Sequence, residues 1–372
     1  MARITRHPCQ AEIVTITIEE LEGDLHPVLA RLRVTEPVAR LPVLSAWLVT
    51  RYDLADQVLR DTATFTVDDP RFSTALVVGP SMLSLDGAEH TRHRAPFHGA
   101  LRPADRFAPF VTDETRRLVA ALPPGHAELR RALAGPLAVA VVADALGLPE
   151  VDTGTVLRWY DAIVSAVSGV SAGRPIPPEG PAAFAALRER IESAVPGLDL
   201  DETASNTAVL MFGGIETTEG MISNLVVHVL SNRDELDAIR ADHSLIGAAV
   251  EESLRLEPAA AVVDRYATRD VVLSGAEIRR GDQVTVSIAG ANRDPDVFAE
   301  PDRFDIRRPN VRRHLAFARG PHVCIGMDLA RLEAATALAA LLELPGLHLA
   351  EDTAARGLVF RKPPAVYVRW HP

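Results

Sequence analysis

Between residues 89 and 256 apolar side chains recur at three- and four-residue spacing in one segment after another, which commits the middle of the chain to packed helices. The pattern predicts helices over 89–97, 109–122, 127–146, 156–167 and 181–194, and a longer one over 201–228. Two more follow over 233–241 and 245–256, the last stopped by Pro258. Ahead of them, Trp47 and Val49 suggest a short strand, after which Asp53 caps a helix through Leu59. The stretch 65–80, with Pro70, Gly79 and Pro80, reads as a long loop, and SAGRPIPPEG as a flexible connector. Beyond that first strand, strand-like runs occur at 261–266, 271–273, 284–288 and 366–370. The expected fold class is therefore mostly α with a minor β region. No internal repeat or long low-complexity linker divides it.

Charge and cysteine usage narrow the partners. With 39 basic and 50 acidic residues the net charge is −11, which disfavours nucleic acid and anionic membranes as partners. Two cysteines, Cys9 and Cys324, cannot build a disulfide framework, so a reducing cytoplasm is the expected compartment. The opening MARITRHPCQAEIVTITIEE has no apolar run long enough for a secretory signal. The most apolar windows, 134–148 and 329–347, carry Asp144 in one and Arg331, Glu333 and Glu343 in the other. They read as core helices, with no membrane span. No Cys/His spacing resembles a zinc site.

Three local patterns carry chemistry. Cys324 sits in a loop with Gly320, Pro321 and Gly326 that feeds a strongly periodic helix. A thiol at a helix N-terminus is expected to ionise more readily, because backbone N–H groups and the positive dipole end favour thiolate. Glu252 and Arg255, three apart on a helix, meet on one face, and Arg303 can join them in a buried network that fixes the cysteine loop. Gly213 and Gly214 interrupt the long helix at a cost of about 1 kcal/mol each. Their missing side chains admit a ligand or a local opening of the backbone ladder, which Thr217 widens by bonding back to a carbonyl.

The segment FARGPHVCIG, residues 317–326, resembles the haem-binding signature of the cytochrome P450 superfamily. EESLRLEP resembles its Glu-x-x-Arg element, PDRF the segment whose Arg303 completes an ion-pair triad, and FGGIETTEG its oxygen-activating stretch. The likeness runs from about Pro37 to the end and implies one haem-binding domain over 37–372, after a segment 1–36 whose order the motifs leave open. It implies the P450 fold, with haem b between the long central helix and the cysteine-loop helix. Cys324 is then the iron ligand, and Phe317, Gly320 and Gly326 belong to its loop. His90, Arg94, Arg265 and His322 occupy the positions of propionate ligands, whereas Arg92 and His93 are expected to face solvent. Gly213 and Gly214 border the cofactor, and Glu216 and Thr217 relay protons. The sequence departs from the family pattern at Ala318, where glycine is usual, at Val323, where a larger apolar residue is common, and at Ile215, expected to dry the oxygen site. The segment PGLDLDE before the central helix is unusually brief.

The resemblance implies a soluble bacterial monooxygenase that hydroxylates or epoxidises a medium-sized, largely apolar small molecule, in secondary metabolism such as antibiotic biosynthesis. O2 is the co-substrate, and thiolate ligation favours O–O cleavage. Electrons come from NAD(P)H through a separate reductase and a ferredoxin or flavodoxin, because no flavin or iron–sulfur segment is present. Arg312, Arg313, Arg319 and Arg331 are candidates for the docking patch. The expected substrate wall is Phe72, Val78, Met211, Phe212, Ile215, Ala261, Val263, Val359 and Phe360, and Asp264 is expected to pair with Arg265. Competing readings are a peroxide-dependent or non-oxygenating relative, disfavoured by Glu216 and Thr217, and a non-catalytic haem sensor.

Overall fold

The expected run of helices is realised in a computed structural model that describes residues 16–148, 152–171, 174–191 and 193–371. Cys9 lies outside the described residues. Helices α1 (Ile18–Glu22) and α2 (His26–Thr35) lead into β1 (Val38–Leu41), β2 (Ala46–Val49) and α3 (Tyr52–Arg60). They are held from afar: Leu21, Leu25, Leu29 and Leu32 pack with Leu41, Leu48 and Ala289, and His26 meets Glu257 at 2.8 Å. After β3 (Phe65–Thr66) come α4 (Ser73–Val78), α5 (Gly87–Leu101), α6 (Ala108–Ala120), β4 (His126–Glu128), α7 (Gly135–Ala145), α8 (Thr153–Ser171) and α9 (Glu179–Glu189).

Helix α10 (Leu200–Ser231) is the axis of the molecule. Its 32 residues span roughly 48 Å at 1.5 Å per residue. A capping box starts it, with the Glu202 N–H donating to Asp199 at 2.8 Å and the Asp199 N–H donating to Glu202 at 3.0 Å. Helices α11 (Arg233–Ala241) and α12 (Ile246–Leu256) fold back on it, and α14 (Met327–Leu342) packs along it with α7. Between α12 and α14 lie β5 (Val262–Ala267), β6 (Val271–Leu273), β7 (Ala276–Ile278), β8 (Gln283–Ser287) and α13 (Ile288–Ala291). Strands β9 (His348–Leu349) and β10 (Tyr367–Arg369) close the chain. One sheet has the order β1-β2-β8-β5-β3, with β2 and β8 parallel, and a second has β4-β10-β9. The β6–β7 hairpin turns through Ser274 and Gly275, both at positive φ, as a two-residue hairpin requires.

Three local expectations change. The 65–80 stretch contains α4, so it is not a continuous loop. The 127–146 helix begins at Arg130, as a π-helical turn over Arg130–Ala134 that runs into α7, because Glu128 is drawn into β4 by pairing with Tyr367, and its carboxylate accepts the N–H groups of Arg130 and Arg131. Asp53 does not cap α3; it binds the Arg51 guanidinium at 2.6 and 2.7 Å, and Asp294 accepts the Tyr52 N–H at 2.9 Å instead. No described helix is long and apolar enough to cross a membrane.

Candidate functional site

The cysteine loop is built by forced backbone. Gly320 has φ +72°, and a Cβ there would stand 2.7 Å from the Leu59 carbonyl oxygen, so only glycine fits. Ala318 has φ +59°. Alanine in that region costs about 1 kcal/mol, so its departure from the usual glycine acts through the backbone and not through added volume. The Cys324 N–H donates to the Phe317 carbonyl at 2.9 Å and closes the loop, while the Phe317 ring lies under the Arg331 guanidinium at 4.6 Å. Gly326 is the N-cap position of α14. Burial pushes the Cys324 thiol up, against the Gly326 N–H and the charges of Arg94, Arg331 and Arg102. The expected lowering by the helix end therefore does not prevail in the protein alone, because desolvation outweighs it.

Two buried acids on α12 hold this loop in place. Glu252 is fully buried and binds Arg255 through two 2.8 Å bonds. The third member of the cluster is Arg308, whose Nε donates to Glu252 at 3.0 and 3.2 Å. Arg303, expected there, has a 61% exposed side chain paired with Glu300 and offers the cluster only its carbonyl. The turn at 303–308 points Arg303 outward and returns Arg308 to the core. Arg255 also donates to the Asn292 carbonyl at 3.0 Å, and Asn292 Oδ1 accepts the Leu315 N–H at 2.7 Å, just ahead of the loop. Neighbouring Glu251 grips both flanks, His314 at 2.9 Å and Arg331 at 2.6 Å. Burial raises the Glu251 carboxyl, yet these two partners bring it down to about 2.

Two histidines and two arginines lie beside the cysteine loop. The rings of His90 and His322 lie against each other, tilted by 45° with centroids 4.3 Å apart, and His322 Nε2–H donates to Asp86 at 2.8 Å. Asp86, which the sequence reading missed, also accepts Thr66 Oγ1 and the Val67 N–H; burial raises its carboxyl, but these donors bring it down to about 2. Burial lowers His90 to about 4, helped by the charges of His322 and Arg94, and lowers Arg265 to about 10. Arg94 donates to the Val323 carbonyl at 2.6 Å. Arg265 donates to the backbone oxygen of Asp264, whose carboxylate faces Thr285 at 2.7 Å; alternation along β5 thus separates the two side chains expected to pair. His93 is buried, not solvent-facing: Asn206 and Arg92 bind its two ring nitrogens, and Arg92 chelates Glu202.

The haem implied by the sequence can be tested on these atoms. His90 Nε2 and Arg265 Nε are buried without a hydrogen-bond partner, although burying such groups unpaired costs about 1–3 kcal/mol each. Donors left unpaired beside a half-buried thiol fit a group carrying carboxylates and a metal.

The α10 residues divide by angle, since each step turns the helix by about 100°. Gly213 and Thr217 share one face. Thr217 Oγ1 donates to the Gly213 carbonyl at 2.5 Å, and a Cβ on Gly213 would meet nothing within 4 Å. A Cβ on Gly214 would instead stand 2.5 Å from Val142 Cγ2, so Gly214 is a helix-packing glycine against α7 and does not border the cofactor. Met211 and Ile215 lie about 200° from Gly213 and are fully buried in the helical core, which removes both from the substrate wall. The Phe212 ring stands edge-on to that of Phe360, with centroids 5.3 Å apart. Ala261 packs instead with the α1–α2 core, Val263 against the core of the five-stranded sheet, and Val359 is exposed. Val78 is buried and Phe72 precedes α4. Glu216 is held by the Tyr160 hydroxyl and by Lys362 at 2.8 Å, neither of which the sequence pointed to.

Comparison with known proteins is consistent across the chain. The family model "Cytochrome P450" matches residues 183–355. The chain is 35% identical to the cytochrome P450 monooxygenase PikC of Streptomyces venezuelae, over 95% of this chain and 92% of that protein. It is 34% identical to the mycinamicin IV hydroxylase/epoxidase of Micromonospora griseorubida, over 91% and 94%. Among solved structures, P450BioI in complex with an acyl carrier protein carrying hexadec-9Z-enoic acid superposes with a TM-score of 0.84 at 30% identity, covering 95% of this chain and 100% of that one.

Proposed function

The chain belongs to the cytochrome P450 family, and from that premise we propose that it oxidises a medium-sized, largely apolar small molecule of bacterial secondary metabolism. Its class is that of the haem- and O2-dependent monooxygenases, which are oxidoreductases. The observation that carries the site assignment is the half-buried Cys324 thiol beside the unpartnered His90 Nε2 and Arg265 Nε. Bound haem supplies the redox chemistry that activates oxygen.

This chain's residues do the rest. Cys324 would hold the iron as thiolate, its charge favoured by Arg94, Arg102 and Arg331. His90, Arg265, Arg94 and His322 would hold the propionates, with Asp86 orienting His322. Thr217, fixed to the Gly213 carbonyl, keeps a hydroxyl on the open face of α10, and Glu216 one residue before it is the proton carrier. Phe212 and Phe360 supply an aromatic corner against which an apolar substrate is oriented.

The described residues act as one haem-centred domain, α1 and α2 included, since both pack into it, and the protein works in the cytoplasm. Electrons come from NAD(P)H through a reductase and a ferredoxin or flavodoxin, for which Arg312 and Arg313, both exposed, form the basic contact. Arg331 contributes less, because Glu251 neutralises it. Hydroxylation or epoxidation as the reaction is supported by the likeness to the mycinamicin IV hydroxylase/epoxidase. The test is the absorption spectrum of the reduced protein under carbon monoxide. A thiolate-type band is expected in wild type and its loss in Cys324→Ser; an imidazole-type band, or no haem in the purified protein, overturns the reading.

A further inference from the structure

Lys362 is the only lysine in the chain, and its side chain is largely buried against α10. Its Nζ lies 2.8 Å from Glu216 Oε1 and 2.5 Å from Glu219 Oε2. Arg130 Nε donates to the other Glu219 oxygen at 2.7 Å, and the Tyr160 hydroxyl of α8 donates to Glu216 Oε2. Two carboxylates and two cations thus form a neutral network spanning four parts of the fold. Asp161 on α8 is the remaining charged group that faces it.

The lysine has little freedom to leave. The segment packs on α10 at Gly220, where a Cβ would be in ordinary contact, at 3.5 Å, with the Arg361 carbonyl and Lys362 Cβ, and tight, at 3.0 Å, only against Ala259. Asn224 Nδ2 donates to that carbonyl at 3.0 Å, and the buried Arg361 side chain donates to Glu257 at 2.8 Å. An ammonium on a flexible stem has three donors and no fixed fork, so it can move between two carboxylates without breaking the network.

We propose that Lys362 is a positioning residue for Glu216: it holds the Glu216 carboxylate as an anion between Tyr160 and the ammonium, and releases it for proton transfer by shifting onto Glu219. This rests on Glu216 being the proton carrier. A buried carboxylate deprived of its cation takes up a proton, because the bare charge is costly in a poorly solvated site.

In Lys362→Met, one carboxyl of the network is therefore protonated in neutral solution and adds a protonated-carboxyl band to the infrared spectrum. Wild type already holds the buried Glu333, whose carboxyl burial pushes well up, so the band is read as a difference from wild type: it is expected in Lys362→Met, absent from Lys362→Arg, and lost in the Lys362→Met/Glu216→Gln double variant. No added band in Lys362→Met, or an added band that survives Glu216→Gln, overturns the proposal. A second measurement needs no lysine variant: acylation of Lys362 by an amine-reactive ester, read by peptide mass mapping, should run several-fold faster in Glu216→Gln than in wild type. Equal rates overturn the proposal as well. Neither readout uses haem or oxygen, so failure of the haem assignment appears separately in the carbon monoxide spectrum.

Discussion

Removing the Arg308 side chain tests whether the buried cluster under the cysteine loop is the one the geometry describes. Arg308 makes five hydrogen bonds: two to Glu252, and one each to the carbonyls of Ala299, Glu300 and Arg303. Its side chain is 5% exposed and that of Glu252 is fully buried, so solvent cannot replace what is lost. Breaking a buried ion pair from one side costs about 3–5 kcal/mol, a range bracketed by the roughly 2.5–7.5 kcal/mol that five bonds would give at a net 0.5–1.5 kcal/mol each. Glu252 would keep Arg255 and the Asp305 N–H, which places Arg308→Met near 4 kcal/mol and not beyond. With an unfolding entropy of roughly 2.1 cal/mol/K per residue over 372 residues, that loss lowers the melting temperature by about 5 °C. Arg303→Met removes one exposed 3.4 Å contact and should stay within about 0.5 kcal/mol. Thermal and urea unfolding of the two variants, with haem retention measured alongside, compares them directly. Equal losses, or a larger loss for Arg303→Met, would refute the assignment of Arg308 as the third member.

Two further outcomes follow from the packing and charge. Gly214→Ala should lose about 1–2 kcal/mol by overpacking Val142, with much of the loss recovered in Val142→Ala, whereas Gly213→Ala should not destabilise the fold; a denaturation cycle showing no coupling between 214 and 142 would contradict the contact. Glu257 is raised by burial, but His26, Arg361 and Arg293 bring its carboxyl from 4.5 down to about 2, so it adds up to about 3 kcal/mol above its unfolded pKa. That contribution is lost as pH falls through about 2, and Glu257→Gln should flatten the acid limb of a stability–pH curve; an unchanged limb would count against the network.

What the sequence determines here is local. Cys324, Thr217 and the Glu252–Arg255 pair were legible because each signal lies within one loop or one helical turn, where spacing alone sets which side chains meet. The mostly helical class followed from periodicity for the same reason. Tertiary structure decided what depends on direction or on distant partners. Whether Arg303 or Arg308 turns inward depends on how one irregular segment folds back on α12. Which of Gly213 and Gly214 faces open space depends on where α7 crosses α10, and that same angle sends Met211 and Ile215 to the core. The thiol's pKa is raised because enclosure, invisible in a helix-start pattern, outweighs the dipole. Lys362 reaches Glu216 only because the chain's last segment is clamped along α10, a proximity that no local spacing encodes.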